Sequence, residues 1–135
     1  MTDPDLIAKR LALVETYVRD LKTLAKPERI ADDVREQRFI EHTLQLAIQA
    51  VIDVASHVVS DERFGEPETN QALFVLLARN GWLDTTLAQR LANAAGFRNV
   101  LVHGYASVDL AIVRDIVENH LDDLVAFVEA IRQRT

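Results

Sequence analysis

Cysteine is absent from this 135-residue chain, which excludes disulfides and thiolate metal sites. Glycine occurs four times and proline three times. So few breakers among so many Leu, Val, Ile and Ala residues predict long helices. No stretch alternates apolar and polar residues convincingly, so no strand is expected. The amino terminus, MTDPDLIAKR, lacks a basic region followed by an apolar core, so no signal peptide is read there. No apolar run approaches the roughly 20 residues that span a bilayer. A soluble cytoplasmic protein with no membrane segment is the expectation. Basic charge is also scarce: 15 Lys and Arg against 21 Asp and Glu leave a formal net charge of −6. That balance argues against broad nonspecific affinity for nucleic acid, although a segregated basic site is compatible with it. Gly-rich phosphate loops, serine nucleophile motifs and metal-type His/Asp clusters are missing too, so neither metal nor other cofactor is expected.

What is present is an apolar fraction of 49%, enough for a globular core in a single domain spanning residues 1–135. Asp3 and Pro4 read as a helix start. Ile7, Leu11, Val14, Val18, Leu21 and Ala25 then recur at spacings of four and three, with Glu15 and Arg19 paired on the outer side. Asp32 or Asp33 opens a second helix that runs to about Ser60, roughly 40 Å long. Its main stripe is Ile40, Leu44, Ala47, Ile48, Val51, Ala55 and Val58, while Phe39, Leu46 and Ala50 lie nearly opposite. A helix apolar on two sides is sandwiched, either by the other helices of its own chain or partly by a second subunit.

DERFGEPET, residues 61–69, is the one clear loop. Thr69 or Asn70 caps a third helix, which Asn80-Gly81 stops. Trp82 packs this turn into the core. Asp84 or Thr85 caps the fourth helix, with Gly104 near its end. Ser107 or Asp109 starts the last, cored by Val113, Val117, Leu121, Leu124, Val128 and Ile131. The fold class is all-α: an antiparallel bundle of about five helices with short connections.

The fourth helix holds the anomaly. Leu87, Leu91, Ala94 and Leu101 define its core stripe, and Arg98 falls on that stripe. A buried guanidinium costs several kcal/mol unless it is paired. Three arrangements answer this. Arg98 snorkels out, with Asn99 capping a backbone group. Or it pairs with an internal carboxylate, Asp53 being the candidate. Or it lines a cleft that accepts a phosphate, which suits its planar fork. His103 titrates near neutral pH and suits proton transfer. Arg98 and His103 are five apart, about 140° around an ideal helix, so they are not side by side. They flank one cleft near the helix end or meet their copies across a two-fold axis. Asp53 and His57, at i and i+4 on the second helix, read as a local hydrogen bond, and His42 and His120 as surface or interface residues.

Residues 98–105 read R-N-V-L-V-H-G-Y. This matches the R-x4-H-x-Y signature of the HEPN superfamily and most resembles its HepT branch, the toxin half of HepT/MntA pairs. The resemblance covers most of the chain, from LQLAIQAVIDVASHVV at 44–59 to the final VDLAIVRDIVENHLDDLVAFVEAI. It implies a HEPN-like helical bundle that forms a homodimer and cleaves RNA, tRNA or mRNA, without metal. It makes Arg98 and His103 the catalytic pair of a composite site at the dimer interface. Asn99 would orient that site, and Asp53 would support it. Tyr105 matches the tyrosine that the partner, an MntA-like nucleotidyltransferase antitoxin, modifies with AMP. The other function open to such a chain is that of a noncatalytic partner, binding substrate or nucleotide for a nucleotidyltransferase.

Overall fold

The Asp3 carboxylate accepts from the backbone N–H groups of Asp5, at 3.0 Å, and Leu6, at 3.3 Å, and so starts α1, Pro4–Leu24. The same device recurs along the chain in the computed structural model, which describes residues 3–103 and 108–135 with the exception of the His103 side chain. Asp33 caps α2, Val34–Asp61. Thr69 caps α3, Asn70–Arg79. Asp84 accepts from the Leu87 N–H at 2.7 Å and opens α4, Thr85–His103. Asp109 caps α5, Leu110–Asn119. α6, Leu121–Arg132, follows after one residue, and a short 3-10 turn, Pro27–Arg29, links α1 to α2. Each capping side chain satisfies backbone donors that the first helical turn leaves open. Gly104, Tyr105 and Ser107 lie outside the described residues.

α2 is the axis of the bundle, and every other helix packs against it. Helices of the same chain bury Ala50 on the second apolar side and leave Phe39 and Leu46 half-buried. By length and composition α2 would suffice to cross a membrane, with a mean hydropathy of 1.3 over its most apolar stretch, contrary to the sequence expectation. However, 61% of that stretch is buried inside the bundle, as befits a core helix.

Ion pairs show the antiparallel layout. Arg10 of α1 meets Asp53 of α2, and Lys22 and Glu15 of α1 meet Asp122 and Arg132 of α6. Glu15 thus pairs across helices to Arg132 rather than along its own helix to Arg19. Phe74 of α3 and Phe127 of α6, both fully buried, meet edge to face with centroids 6.2 Å apart. Trp82 lies edge-on to Phe64 at 6.0 Å, and the Arg134 guanidinium covers its ring, tying the α3–α4 turn to the loop after α2.

The expected single last helix is two. His120 leaves helical geometry at φ −125°, and its ring lies between Asp115, at 3.2 Å, and Asp123, at 3.9 Å. Asp123 also meets Arg90 of α4 at 3.4 Å. This acidic pocket holds the bend and lets α5 and α6 turn separately against α2. The described residues therefore form six α-helices rather than five.

Two glutamates respond to pH in opposite senses. The Arg132 hydrogen bond holds the Glu15 carboxyl below its ordinary value of 4.5. Its stabilising contribution is present above that value and is lost as pH falls through the lowered one. Burial raises Glu41 above 4.5, against a smaller opposing effect of Arg38. The ionised Glu41 therefore costs stability at neutral pH, and that cost disappears as pH falls through the raised value toward 4.5. At neutral pH, Glu41→Gln should raise the melting temperature and Glu15→Gln should lower it, each by the equivalent of under about 1 kcal/mol. Both differences should shrink in melts recorded below the ordinary glutamate range. A Glu41→Gln melt below wild type at neutral pH would contradict the burial argument.

Candidate functional site on the fourth helix

α4 buries Leu87, Ala88, Leu91, Ala92 and Ala95, then reaches Arg98, and buries Leu101 one turn later. Arg98 therefore does occupy the core stripe. The stripe is shifted slightly from the predicted one, since Ala95 is fully buried and Ala94 only half-buried. Helical periodicity places this guanidinium stem against apolar neighbours, and the side chain emerges only at its tip.

Among the described residues, Arg98 has no carboxylate partner. Its Nη1 donates to Asn99 Oδ1 at 3.3 Å, while its Nε is shut off from solvent and donates to nothing. A buried donor without an acceptor costs about 1–3 kcal/mol. The structure thus leaves Arg98 with unused donor capacity at the edge of the core.

Asp53 is not the missing partner. Its carboxylate accepts from Gln49 Nε2 at 2.8 Å and pairs with Arg10 at 3.4 Å. α2 turns it toward α1, so Asp53 is placed in a separate, already satisfied group. The expected Asp53–His57 contact is replaced by His57 with Asp61, at 3.3 Å. His103 closes α4, with its side chain outside the described residues, as is all of Tyr105. Among the described residues, no three His, Asp or Glu side chains converge as metal ligands.

The surface around Arg98 is mixed. Asn99 is exposed and lines a cleft with Ser56 of α2 and residues of the loop and first turn leading into α3. Val100 is 41% exposed, and Phe97 and Val102 are half-buried. The apolar residues of this segment are therefore only partly covered by their own chain. Gly96 sits where α3 comes close: a Cβ there would lie 3.1 Å from Gln71 Nε2. Neither Gln71 nor Ser56 lies in a recognisable sequence motif. Only the packing of α3 and α2 on α4 brings them to Asn99.

A family model described as ribonuclease HepT-like matches residues 12–131. The mRNA nuclease HepT of Shewanella oneidensis is 28% identical over 129 residues, which is 95% of this chain and 97% of that protein. The tRNA nuclease HepT of Aphanizomenon flos-aquae is 36% identical over 112 residues, covering 79% and 74% of the two chains. Among solved structures, the tri-AMPylated HEPN toxin of Shewanella oneidensis in complex with its MNT antitoxin aligns with a TM-score of 0.89 at 27% identity, over 97% of this chain and 99% of that one. The cytosolic protein YutE from Bacillus subtilis aligns at 0.88 with 16% identity, a likeness of fold alone. By this match over most of its length, the chain belongs to the HepT-like ribonuclease family of the HEPN superfamily.

Proposed function

We propose that this chain is the toxin of a toxin–antitoxin pair, a homodimeric ribonuclease in which Arg98 and His103 of both subunits form one site. The observation that carries this reading is the buried, unpaired Nε of Arg98 beside an exposed Asn99. A guanidinium with spare donors at the rim of a core is suited to an anionic group that arrives from outside, and an RNA phosphate is one. The partly uncovered face formed by Phe97, Val100 and Val102 supports a second copy of α4 packing there. A two-fold axis along that face also answers the spacing problem, because residues about 140° apart on one helix converge when two helices face each other.

The chemistry follows from the residue types. One His103 imidazole takes the proton of a ribose 2′-hydroxyl as its oxygen attacks the adjacent phosphorus. The bond from phosphorus to the 5′-oxygen breaks, and the second His103, protonated, gives that oxygen its proton. The products are a 2′,3′-cyclic phosphate and a free 5′-hydroxyl. Arg98 stabilises the negative charge that grows on the non-bridging oxygens, and Asn99, already bonded to Arg98, orients it. No step requires a metal or other cofactor.

The Shewanella relative carries AMP in complex with its antitoxin. By analogy, an MntA-like nucleotidyltransferase adenylylates Tyr105, two residues past His103. The added bulk and negative charge beside a phosphate site would exclude RNA.

Arg98→Ala and His103→Ala should each lower cleavage of cellular RNA at least about 100-fold and relieve growth arrest. Arg98→Met, which keeps the apolar stem and removes the unpaired donor, should melt no lower than wild type while losing activity. Val100→Glu should yield inactive monomers in sedimentation runs. Folded Arg98→Ala and His103→Ala dimers that cut RNA at the wild-type rate would end the catalytic assignment. For the switch, mass spectrometry after incubation with the partner and ATP should find adenylyl groups on wild type and none at position 105 of Tyr105→Phe. An unmodified Tyr105 beside an active partner would refute that part.

A further inference from the structure

The cleft that Asn99 lines continues away from Arg98. One cavity, of about 520 Å³, runs from Asn99 past Gln71 and Thr69 to Ser56, Pro67 and Leu73. A second, of about 540 Å³, shares those last three residues and ends at Ser60 and Arg63. Together they form one groove between the last turns of α2 and the loop that follows it. Pro67, Leu73 and Val59 supply apolar surface, and the exposed Ser56 and Ser60, one helical turn apart, supply hydroxyls. Each cavity is within the size range that takes a small organic group such as a nucleotide.

Arg63 at the far end is unusual for its backbone. The last turn of α2 closes with the Phe64 N–H on the Val59 carbonyl, at 3.0 Å, and the Arg63 N–H on that of Ser60, at 3.2 Å. α3 closes in the same way, with the Trp82 N–H on Leu77 at 2.9 Å and the Gly81 N–H on Ala78 at 3.1 Å. Both closures need a left-handed residue. α3 uses Gly81, at φ 80°, whereas α2 uses Arg63, at φ 57°, the only described non-glycine residue with positive φ. A side chain there costs about 1–2 kcal/mol, a cost glycine avoids. Among the described residues, no carboxylate pairs with the Arg63 guanidinium. An unfavourable backbone state that presents an unpaired cation at the end of a groove calls for an anionic ligand.

We infer that this groove holds the RNA strand beyond the cleavage site and that Arg63 binds a second phosphate there. The inference rests on the ribonuclease reading of Arg98 and His103 and extends it to substrate binding. Glu66 lines the same cavity as Arg63, and Glu68 the cavity nearer Asn99, so Arg63 is the one cationic side chain of this lining that can meet a phosphate. Bases rest on Pro67 and Leu73, where carboxylates accept from exocyclic amino groups.

Binding of a 2′-O-methylated single-stranded RNA, which lacks the attacking hydroxyl, tests this on the full-length protein. Arg63→Gly should melt no lower than wild type, because glycine suits the left-handed position. Its RNA affinity should fall about ten-fold. The slope of log affinity against log salt should become shallower by about 0.7, one phosphate contact on a single strand. Arg63→Lys should restore the slope. Unchanged affinity and slope in folded Arg63→Gly would overturn the assignment, and a melt well below wild type would show Arg63 to be structural. Cleavage of unmodified RNA by wild type, measured alongside, separates the two readings. If wild type cleaves while Arg63→Gly binds normally, only the groove falls. If wild type neither binds nor cleaves, both fall.

Discussion

The architecture depends on enclosing α2. Twelve of its residues are buried, on more than one face, so no single partner helix covers it. α1, α3, α4, α5 and α6 all pack against it, α1 the most extensively. Removing that apolar surface from water is the main favourable contribution to folding. The position of α4 follows from it. α4 turns Leu87, Leu91 and Ala95 into the core, and Arg98 follows on that face before the buried Leu101. Arg98 therefore interrupts the core face of α4 rather than ending it.

Electrostatics in this protein is local. With a net charge of −6, the chain has no general attraction for polyanions. Several of its cations are held in ion pairs: Arg10 by Asp53, Lys22 by Asp122, Arg90 by Asp123, Arg114 by Glu118 and Arg132 by Glu15. Arg98 and Arg63 stand apart from these ion pairs, and a groove lined in part by Asn99 and Ser56 runs between their neighbourhoods. A mostly acidic surface with a few unpaired arginines in a groove favours substrates by fit, because binding elsewhere on the surface is repelled.

Much of this was legible beforehand. The cap at Asp3 and the glycine stop at Gly81 are plain in the sequence, and the caps at Thr69 and Asp109 are legible to within a residue or two, as Thr69 or Asn70 and Ser107 or Asp109. Arg98 on the core stripe was a matter of counting along α4. The break at His120 was not legible. Val113, Val117, Leu121, Leu124, Val128 and Ile131 keep helical spacing straight through it, and no glycine or proline marks it. Asp115, Asp123 and Arg90 hold the bend, and Arg90 belongs to another helix. The pairing of Asp53 was hidden for the same reason, since its partner Arg10 lies 43 residues away. Arg63 in a glycine position was masked by a loop whose composition signals only a turn.

By itself, the sequence determined the helices, their caps, the apolar faces and the R-x4-H-x-Y motif, because each depends on residues within a few turns of one another. Only the tertiary structure decided which charges are satisfied and which remain open. Ion pairing depends on distances between helices far apart in the chain, and those distances exist only once α2 is enclosed. That is why Asp53 belongs to Arg10, and why Arg98 keeps a buried donor without an acceptor.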